Sequence, residues 1–270
     1  PKPSVSVSFT GLGDELCYAT LLSETKSTGP WQAWDGTEEN ALYRENVDYA
    51  TAGKEIWETF VNYNDSDGFY FLQQTWQVNE TGELYWGYYP PSCFKVLLYF
   101  PESGTFAVSD IYETYAFEST YTVDMKDFVL TPGSPDTGEI ALAESYDFGS
   151  AVPGFILRVA VTVILELLIA LVFGYRAKKQ IKFIVWVNVI TQIVLNVLLN
   201  VVNFHQGAWA ALVIVVIGEI IVFVLEAVLY GIFLGKRGEQ GYSTGRAVLY
   251  ALTANAVSAV AGRLVLSLLG

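Results

Sequence analysis

Residues 155–173 read FILRVAVTVILELLIALVF, a nearly continuous apolar stretch in which only Arg158 and Glu166 carry charge. Three further apolar stretches follow, at residues 183–204, 209–233 and 247–269. A helix needs about 20 apolar residues to cross the roughly 30 Å hydrocarbon core of a bilayer. Soluble helices of this length normally carry a polar stripe. The pattern therefore predicts a four-helix transmembrane bundle over residues 154–270.

The basic residues between these segments predict the orientation. Two of the three connections contain most of them: Arg176, Lys178, Lys179, Lys182, Lys236, Arg237 and Arg246. The connection around residues 203–207 has no Lys or Arg. Short basic loops stay in the cytoplasm, so we expect a multi-pass plasma-membrane protein whose N-terminal region and C-terminus are extracellular. An exported N-terminal region needs a signal peptide, which we expect to have been removed or to lie outside this numbering.

Charge divides the chain into two parts. Residues 1–152 contain 6 Lys and Arg against 24 Asp and Glu, whereas residues 153–270 contain 9 against 4. Nucleic-acid binding requires a basic face, so the acidic N-terminal part excludes a nucleic-acid partner. The predicted partners are membrane lipid, further copies of the chain or other membrane subunits, and an unknown extracellular ligand.

Short strand-like runs dominate the N-terminal region. Residues 4–9 alternate between small polar and apolar side chains, and later runs rich in Tyr, Phe, Trp, Val and Thr are separated by turn signals every 8–12 residues. This spacing predicts an extracellular antiparallel β-sandwich over residues 1–130, with an immunoglobulin-like tendency in its Cys-Trp-Cys order. Residues 131–153 contain several Pro and Gly residues and are predicted to be a linker.

The two cysteines, Cys17 and Cys93, both belong to the N-terminal region. Two cysteines in an exported domain favour a disulfide bond between them. The alternative is a pair of buried free thiols.

Each apolar segment carries polar side chains near its middle. Polar groups inside a membrane are energetically unfavourable and are candidates for function. The candidate layer consists of Glu166, Gln192, Asn196, Glu219, Glu226, Asn255 and Ser258. Two interpretations of this layer stay open. It forms a functional site for a cation, a proton or a polar substrate, or its side chains form interhelical hydrogen bonds that only stabilise the bundle. Arg158 and Arg263 are expected at the outer membrane interface.

Signatures of known enzyme classes are scarce. His205 is the single histidine, which excludes zinc sites rich in histidine and makes a Ser-His-Asp triad improbable. No phosphate-binding loop or nucleophile-elbow motif occurs. The sequence therefore predicts no catalytic residue, no metal and no cofactor, although an enzyme that uses carboxylates alone stays open.

Two resemblances complete the sequence evidence. The residues from Glu226 to Tyr230 and from Ala254 to Gly262, together with Gly13–Cys17, resemble uncharacterised multi-pass membrane proteins of Gram-positive bacteria. That resemblance implies a bacterial cell-envelope location and no known activity. The order of an outer β domain, four helices and an outer C-terminus is similar to a pentameric ligand-gated channel, in which Asn188–Asn200 would line the pore.

These observations favour a non-enzymatic membrane protein whose extracellular β domain binds a ligand or partner. The alternative is an ion channel or transporter that uses the midplane carboxylates and the amide stripe of the second segment, in which Asn188, Gln192, Asn196 and Asn200 recur every four residues.

Overall fold

The computed structural model describes residues 2–28, 31–38, 53–129, 138–145, 148–236 and 243–269. The chain divides into two compact units, residues 1–146 and residues 147–270. We call them the β unit and the helical unit. A mixed β region thus precedes a set of apolar helices, which confirms the coarse order predicted from the sequence.

The β unit contains short strands and two short helices. In chain order they are β1 (Ser4–Thr10), β2 (Tyr18–Ser23), β3 (Ser27–Thr28), β4 (Trp31–Gln32), α1 (Lys54–Val61), β5 (Tyr70–Phe71), β6 (Trp76–Gln77), α2 (Val78–Thr81), β7 (Glu83–Trp86), β8 (Cys93–Phe100), β9 (Thr105–Ser109), β10 (Tyr112–Glu113), β11 (Glu118–Asp124), β12 (Gly138–Ile140) and β13 (Ala143–Glu144).

Two larger sheets organise these strands. The first has the order β13-β11-β1-β7, and the second has the order β12-β9-β8-β2-β5, with β10 also paired to β8 and β6 to β2. Strand β1 runs parallel to β11, and β12 runs parallel to β9. The prediction of a wholly antiparallel arrangement is therefore wrong. Alternation specifies which face of a strand is buried, but it does not specify the direction of a partner more than a hundred residues away.

The core explains why β1 and β2 have different patterns. In β1, Val5, Val7 and Phe9 are buried in a cluster that also contains residues of the second sheet, as the alternation predicts. All six residues of β2 are buried, because its second face is covered by α1. Trp57 and Phe60 of α1 join Tyr18 and other residues of the second sheet in a separate cluster.

The predicted boundaries of the β domain differ from the observed ones. Within the predicted linker, residues 138–145 contain β12 and β13, which pair with β9 and β11. The first long helix begins at Phe148, inside the same predicted linker. Residues 131–137 lie outside the described residues.

The predicted disulfide does not form in this fold, because both cysteines are free thiols. Antiparallel pairing places Tyr18 opposite Tyr99 and Ser23 opposite Phe94. Cys17 and Cys93 therefore lie at opposite ends of the β2–β8 ladder, roughly 20 Å apart at 3.3 Å per residue. A disulfide requires Cα atoms within about 7 Å of each other.

The helical unit contains α3 (Phe148–Val172), α4 (Lys178–Tyr230), a π-helical turn (Gly231–Lys236) and α5 (Thr244–Leu269). Gly207 interrupts α4 with φ 81° and ψ 174°. Asn188 and Tyr230 form a 2.9 Å hydrogen bond, although a straight helix would separate them by about 60 Å. The chain therefore reverses at Gly207, and α4 is a hairpin of a first arm (residues 178–206) and a second arm (residues 208–230).

This hairpin corrects the prediction of four separate helices. The predicted segments 183–204 and 209–233 are joined by a turn at the single residue Gly207. The sequence predicts a longer loop between them. Among the described residues, two helical stretches are long and apolar enough to cross a membrane, Pro153–Val172 and Lys178–Gly235. The predicted segment 247–269 lies in α5 and is not one of these two stretches.

Candidate functional site in the helical unit

Glu226 on the second arm of α4 is the centre of a buried polar cluster. Its side chain is fully buried. Thr191 Oγ1 on the first arm donates a 2.8 Å hydrogen bond to Glu226 Oε1. Asn255 Nδ2 on α5 donates a 2.7 Å hydrogen bond to Glu226 Oε2. Both carboxyl oxygens therefore accept a hydrogen bond, each from a different helical segment.

Glu166 on α3 is the second buried carboxyl group of this cluster. Its side chain is 1% exposed, and it interacts electrostatically with Glu226. Asn188, also 1% exposed, lies close enough to Glu166 to interact with its carboxyl group. The Asn188 amide donates to Tyr230 Oη at 2.9 Å and to the Ile184 carbonyl at 3.0 Å. Glu166 and Asn188 are therefore linked to the second arm through Tyr230.

Two oxygen atoms of this cluster lack a hydrogen-bond partner. They are Glu166 Oε2 and Asn188 Oδ1, and both are buried. Burying a polar atom without a partner is unfavourable by several kcal/mol in an apolar environment. Both atoms are hydrogen-bond acceptors. A cation or a donated proton would therefore satisfy them, whereas an anion would not.

Three buried tyrosines pack near the carboxyl pair. Tyr250 Oη on α5 donates a 3.4 Å hydrogen bond to the backbone carbonyl of Glu166. Tyr175, Tyr230 and Tyr250 are all fully buried. They belong to a hydrophobic cluster with small residues of α5 such as Ala247 and Ala251, and small residues allow close helix approach.

The structure brings together only part of the polar layer predicted from the sequence. Glu166, Glu226 and Asn255 lie in the cluster. Ser258 is buried and donates a 3.1 Å hydrogen bond to the Asn255 carbonyl. Asn196 is buried and its amide donates to the Gln192 carbonyl of its own helix at 2.8 Å.

Glu219 lies elsewhere on the second arm. It is half-buried and is seven residues before Glu226. Both Glu219 and Glu226 belong to the polar layer predicted from the sequence, and the hydrogen bonds from Thr191 and Asn255 are accepted by Glu226. Arg158 and Arg263 lie in α3 and α5, and their side chains are outside the described part of the structure.

Sequence reasoning missed several members of the cluster. Asn188 lies in the amide stripe but outside the predicted polar layer. Thr191 and Tyr230 are also outside the predicted layer, because a threonine and a tyrosine are common in apolar helices and do not indicate a site. A spacing signal was present, since Tyr230 follows Glu226 by one helical turn and lies on the same helix face.

The described part of the helical unit offers oxygen and amide groups rather than a metal cluster. No group of three or more His, Cys, Asp or Glu residues that could hold a metal ion occurs among the described residues. The carboxyl pair, one amide oxygen and the neighbouring hydroxyls suit a proton or a small hard cation.

The β unit contains a different buried charge that the sequence did not reveal. Lys95 on β8 is 3% exposed and donates a 2.9 Å hydrogen bond to Asp65 Oδ1, with a second bond to Asp67. Asp65 Oδ2 also accepts from the backbone N–H groups of Asp67 and Phe69 at 3.0 and 3.1 Å. Burial lowers the pKa of Lys95, but the hydrogen bonds to Asp67 and Asp65 outweigh this effect, so the pKa of Lys95 is raised.

Three tyrosines are exposed next to the edge strand β7. Tyr85, Tyr88 and Tyr89 are 55%, 41% and 43% exposed. The rings of Tyr88 and Tyr89 lie 4.9 Å apart, and Tyr89 adopts a left-handed φ of 46°. Lys2 Nζ lies 5.7 and 5.1 Å from these two ring centroids and donates a 3.2 Å hydrogen bond to Tyr89 Oη. This bond raises the pKa of Lys2.

Comparison with known proteins adds no family to this description. No protein-family model, no curated protein and no solved structure matches the chain.

Proposed function

We propose that the chain is a multi-pass membrane protein whose helical unit binds and transfers a small cation at the Glu166–Glu226 pair. Both arms of the α4 hairpin and α3 would each cross the membrane. The apolar surface of the helical unit supports this proposal, because large apolar side chains point away from its core. Examples with more than half of the side chain exposed are Ile164, Val172, Trp186, Trp209, Ile220 and Val260. Soluble proteins rarely expose contiguous apolar surface of this kind.

The distribution of charge supports the proposed orientation. Arg246 donates a hydrogen bond to the Phe173 carbonyl. The beginning of α5 and the end of α3 therefore lie together, at the end of the helical unit that contains Arg176 and Lys178. Gly207 lies at the other end of the hairpin. By the positive-inside rule the basic end is cytoplasmic, so the β unit that precedes α3 would be extracellular.

The proposed architecture of the β unit is a two-sheet sandwich. A single hydrophobic cluster contains β1 residues of the first sheet and β2 and β8 residues of the second sheet. This shared core supports face-to-face packing of the two sheets.

The observation that carries the cation site is the pair of buried oxygens without partners, Glu166 Oε2 and Asn188 Oδ1. Interhelical hydrogen bonds that only stabilise a bundle connect donors to acceptors. Here two acceptors are left over beside a second carboxyl group, which is an arrangement that a cation or proton completes. Intramembrane carboxyl groups of this kind mark ion and proton pathways.

Flux through reconstituted vesicles tests this function. We expect wild-type proteoliposomes to dissipate an imposed H⁺ or Na⁺ gradient faster than protein-free vesicles. Glu166→Gln and Glu226→Gln should reduce this flux by at least about tenfold, because each removes an ionisable group from the site. Glu219→Gln is the matched control, since it makes the same change on the same arm outside the cluster, and it should retain the wild-type flux.

The proposal is overturned if wild-type vesicles show no flux above the protein-free background. Equal loss of flux in all three variants would also contradict it, because the effect would then not depend on the Glu166–Glu226 pair. Circular dichroism and gel filtration of each variant show whether it is folded.

A second function is supported by the exposed tyrosines of the β unit. We propose that Tyr85, Tyr88 and Tyr89 bind a neutral carbohydrate, because exposed aromatic rings stack on the apolar faces of sugars. The left-handed backbone of Tyr89 supports this, since strained non-glycine residues concentrate at functional sites. In this proposal the β unit recognises an extracellular ligand without catalysis.

Glycan-array binding of the full chain tests the second function. Tyr88→Ala should abolish binding to the glycans that the wild-type protein binds on the array. Ile111→Ala is the control, because Ile111 is 51% exposed in the same unit and outside the tyrosine group. Binding that survives Tyr85→Ala, Tyr88→Ala and Tyr89→Ala would overturn this assignment.

A further inference from the structure

The buried tyrosines of the helical unit form a continuous column. Tyr175 and Tyr250 have ring centroids 5.3 Å apart, and Tyr250 and Tyr230 are also 5.3 Å apart. We call Tyr175, Tyr250 and Tyr230 the tyrosine column. Tyr250 interacts electrostatically with both Tyr230 and Tyr175, so the three side chains are consecutive neighbours.

The tyrosine column joins the basic end of the helical unit to the carboxyl pair. Tyr175 directly precedes Arg176, which is exposed. At the other end, Tyr230 Oη accepts the hydrogen bond from Asn188, and Tyr250 Oη contacts the Glu166 backbone. The column therefore spans the distance between exposed residues at one end and the two buried carboxyl groups.

We propose that the cation at this site is a proton and that the tyrosine column conducts it between the basic end and Glu166. This inference rests on the proposed cation function and specifies its ligand and its route. A hydroxyl accepts a proton on one lone pair and releases its own proton to the next acceptor, directly or through one water. One O–H bond breaks for each one that forms, so a single proton moves and nothing is oxidised or reduced.

The hydrogen bonds of the pair favour a proton over a metal cation. Both oxygens of Glu226 already accept hydrogen bonds, from Thr191 and Asn255, as expected of an ionised carboxylate. Glu166 and Asn188 each retain one acceptor without a partner. A single proton on Glu166 converts one carboxyl oxygen from an acceptor into a donor. A metal cation would need several additional oxygen ligands.

Several ionisable groups among the described residues lie on the segments that form this route. Glu166 lies on α3, and Arg176 lies in the connection that follows it. Glu226 and Tyr230 lie on α4. Tyr250 and Arg246 lie on α5. Among these groups, Glu166 and Glu226 are the two buried carboxyl groups. A protonation signal that disappears in Glu166→Gln therefore reports on the proposed site.

Infrared difference spectroscopy of the full chain in lipid vesicles tests the proton and its route. The probe is the C=O band of a protonated carboxyl group, followed after rapid transfer from H₂O to D₂O. We expect the band in wild type and its loss in Glu166→Gln. In Tyr250→Phe and Tyr175→Phe the band should keep its amplitude, whereas its H/D exchange should slow by at least about tenfold. These variants keep the ring and remove only the hydroxyl.

Thr253→Val is the control for exchange, because the Thr253 hydroxyl donates to the Leu249 carbonyl of its own helix. Its exchange rate should equal that of wild type. Wild-type exchange rates in both Tyr→Phe variants would overturn the route and leave the cation function standing. Disappearance of the band on addition of Na⁺ at constant pH would identify a metal cation and overturn the proton assignment. Absence of flux in the wild type would instead overturn the underlying function.

Discussion

Asn255 on α5 and Glu226 on the second arm of α4, 29 residues apart, are joined by a 2.7 Å hydrogen bond from amide to carboxylate. This bond connects α5 to the hairpin inside the buried cluster. Replacing the donor leaves a buried carboxylate oxygen without a partner, which is unfavourable.

Asn255→Leu should therefore lower the free energy of unfolding by about 1–2 kcal/mol, the range expected for a strong interhelical hydrogen bond. Thermal unfolding in detergent measures the change. Thr253→Val, on the same helix, should change the midpoint much less. Equal midpoints for the two variants would show that the Asn255–Glu226 bond does not stabilise the bundle.

Gly207 permits the reversal between the two arms of α4. Its φ of 81° and ψ of 174° lie in a region that is essentially restricted to glycine. Gly207→Ala should destabilise the helical unit by about 1–3 kcal/mol. Gly245→Ala is the matched control, because Gly245 has open space for a Cβ atom and an ordinary φ. Alanine there should be neutral or slightly stabilising, and equal effects at both positions would contradict the hairpin geometry.

Lys95 and Asp65 form a buried ion pair in the β unit. Lys95→Met should lower the free energy of unfolding by about 3–5 kcal/mol, because it leaves Asp65 charged and without its partner in the interior. Asp67→Asn should have a smaller effect, since the Asp67 side chain is 54% exposed. Denaturant unfolding with tryptophan fluorescence measures both changes. A smaller effect of Lys95→Met than of Asp67→Asn would contradict this assignment.

The same ion pair predicts a dependence of stability on alkaline pH. The pKa of Lys95 is raised above its usual 10.5 by its hydrogen bonds to Asp67 and Asp65, against the effect of burial. Its contribution to stability is therefore complete below pH 10.5 and is lost as the pH rises through the folded-state pKa. The difference in unfolding free energy between wild type and Lys95→Met should shrink above pH 10.5. A constant difference would contradict the prediction.

The two cysteines should react at different rates. Burial raises the pKa of the Cys17 thiol to about 12, so little of the reactive thiolate forms at neutral pH. Cys93 is only partly buried and should be alkylated first. Mass spectrometry after brief maleimide treatment measures this order, with denatured protein as the control in which both react. A Cys17–Cys93 cross-linked peptide under non-reducing conditions would contradict the observed register.

The polar site was predictable only in part. Glu166, Glu226 and Asn255 were identified, because charged and amide side chains are conspicuous in an apolar segment. The choice between Glu219 and Glu226 could not be made from the sequence, since both lie on one face of the same arm. The position of the turn at Gly207 decides which residues of the first arm meet each glutamate, and that turn spans one residue rather than a loop.

Local pattern alone specifies the division of the chain into a β region and apolar helices, because helix length, alternation and turn residues act over a few neighbouring positions. It likewise specifies the burial of Val5, Val7 and Phe9 in β1. The parallel pairing of β1 with β11, the separation of Cys17 from Cys93 and the meeting of Glu166 with Glu226 depend on residues far apart in the chain. Their positions follow from packing and hydrogen bonding between whole elements, which no local pattern encodes.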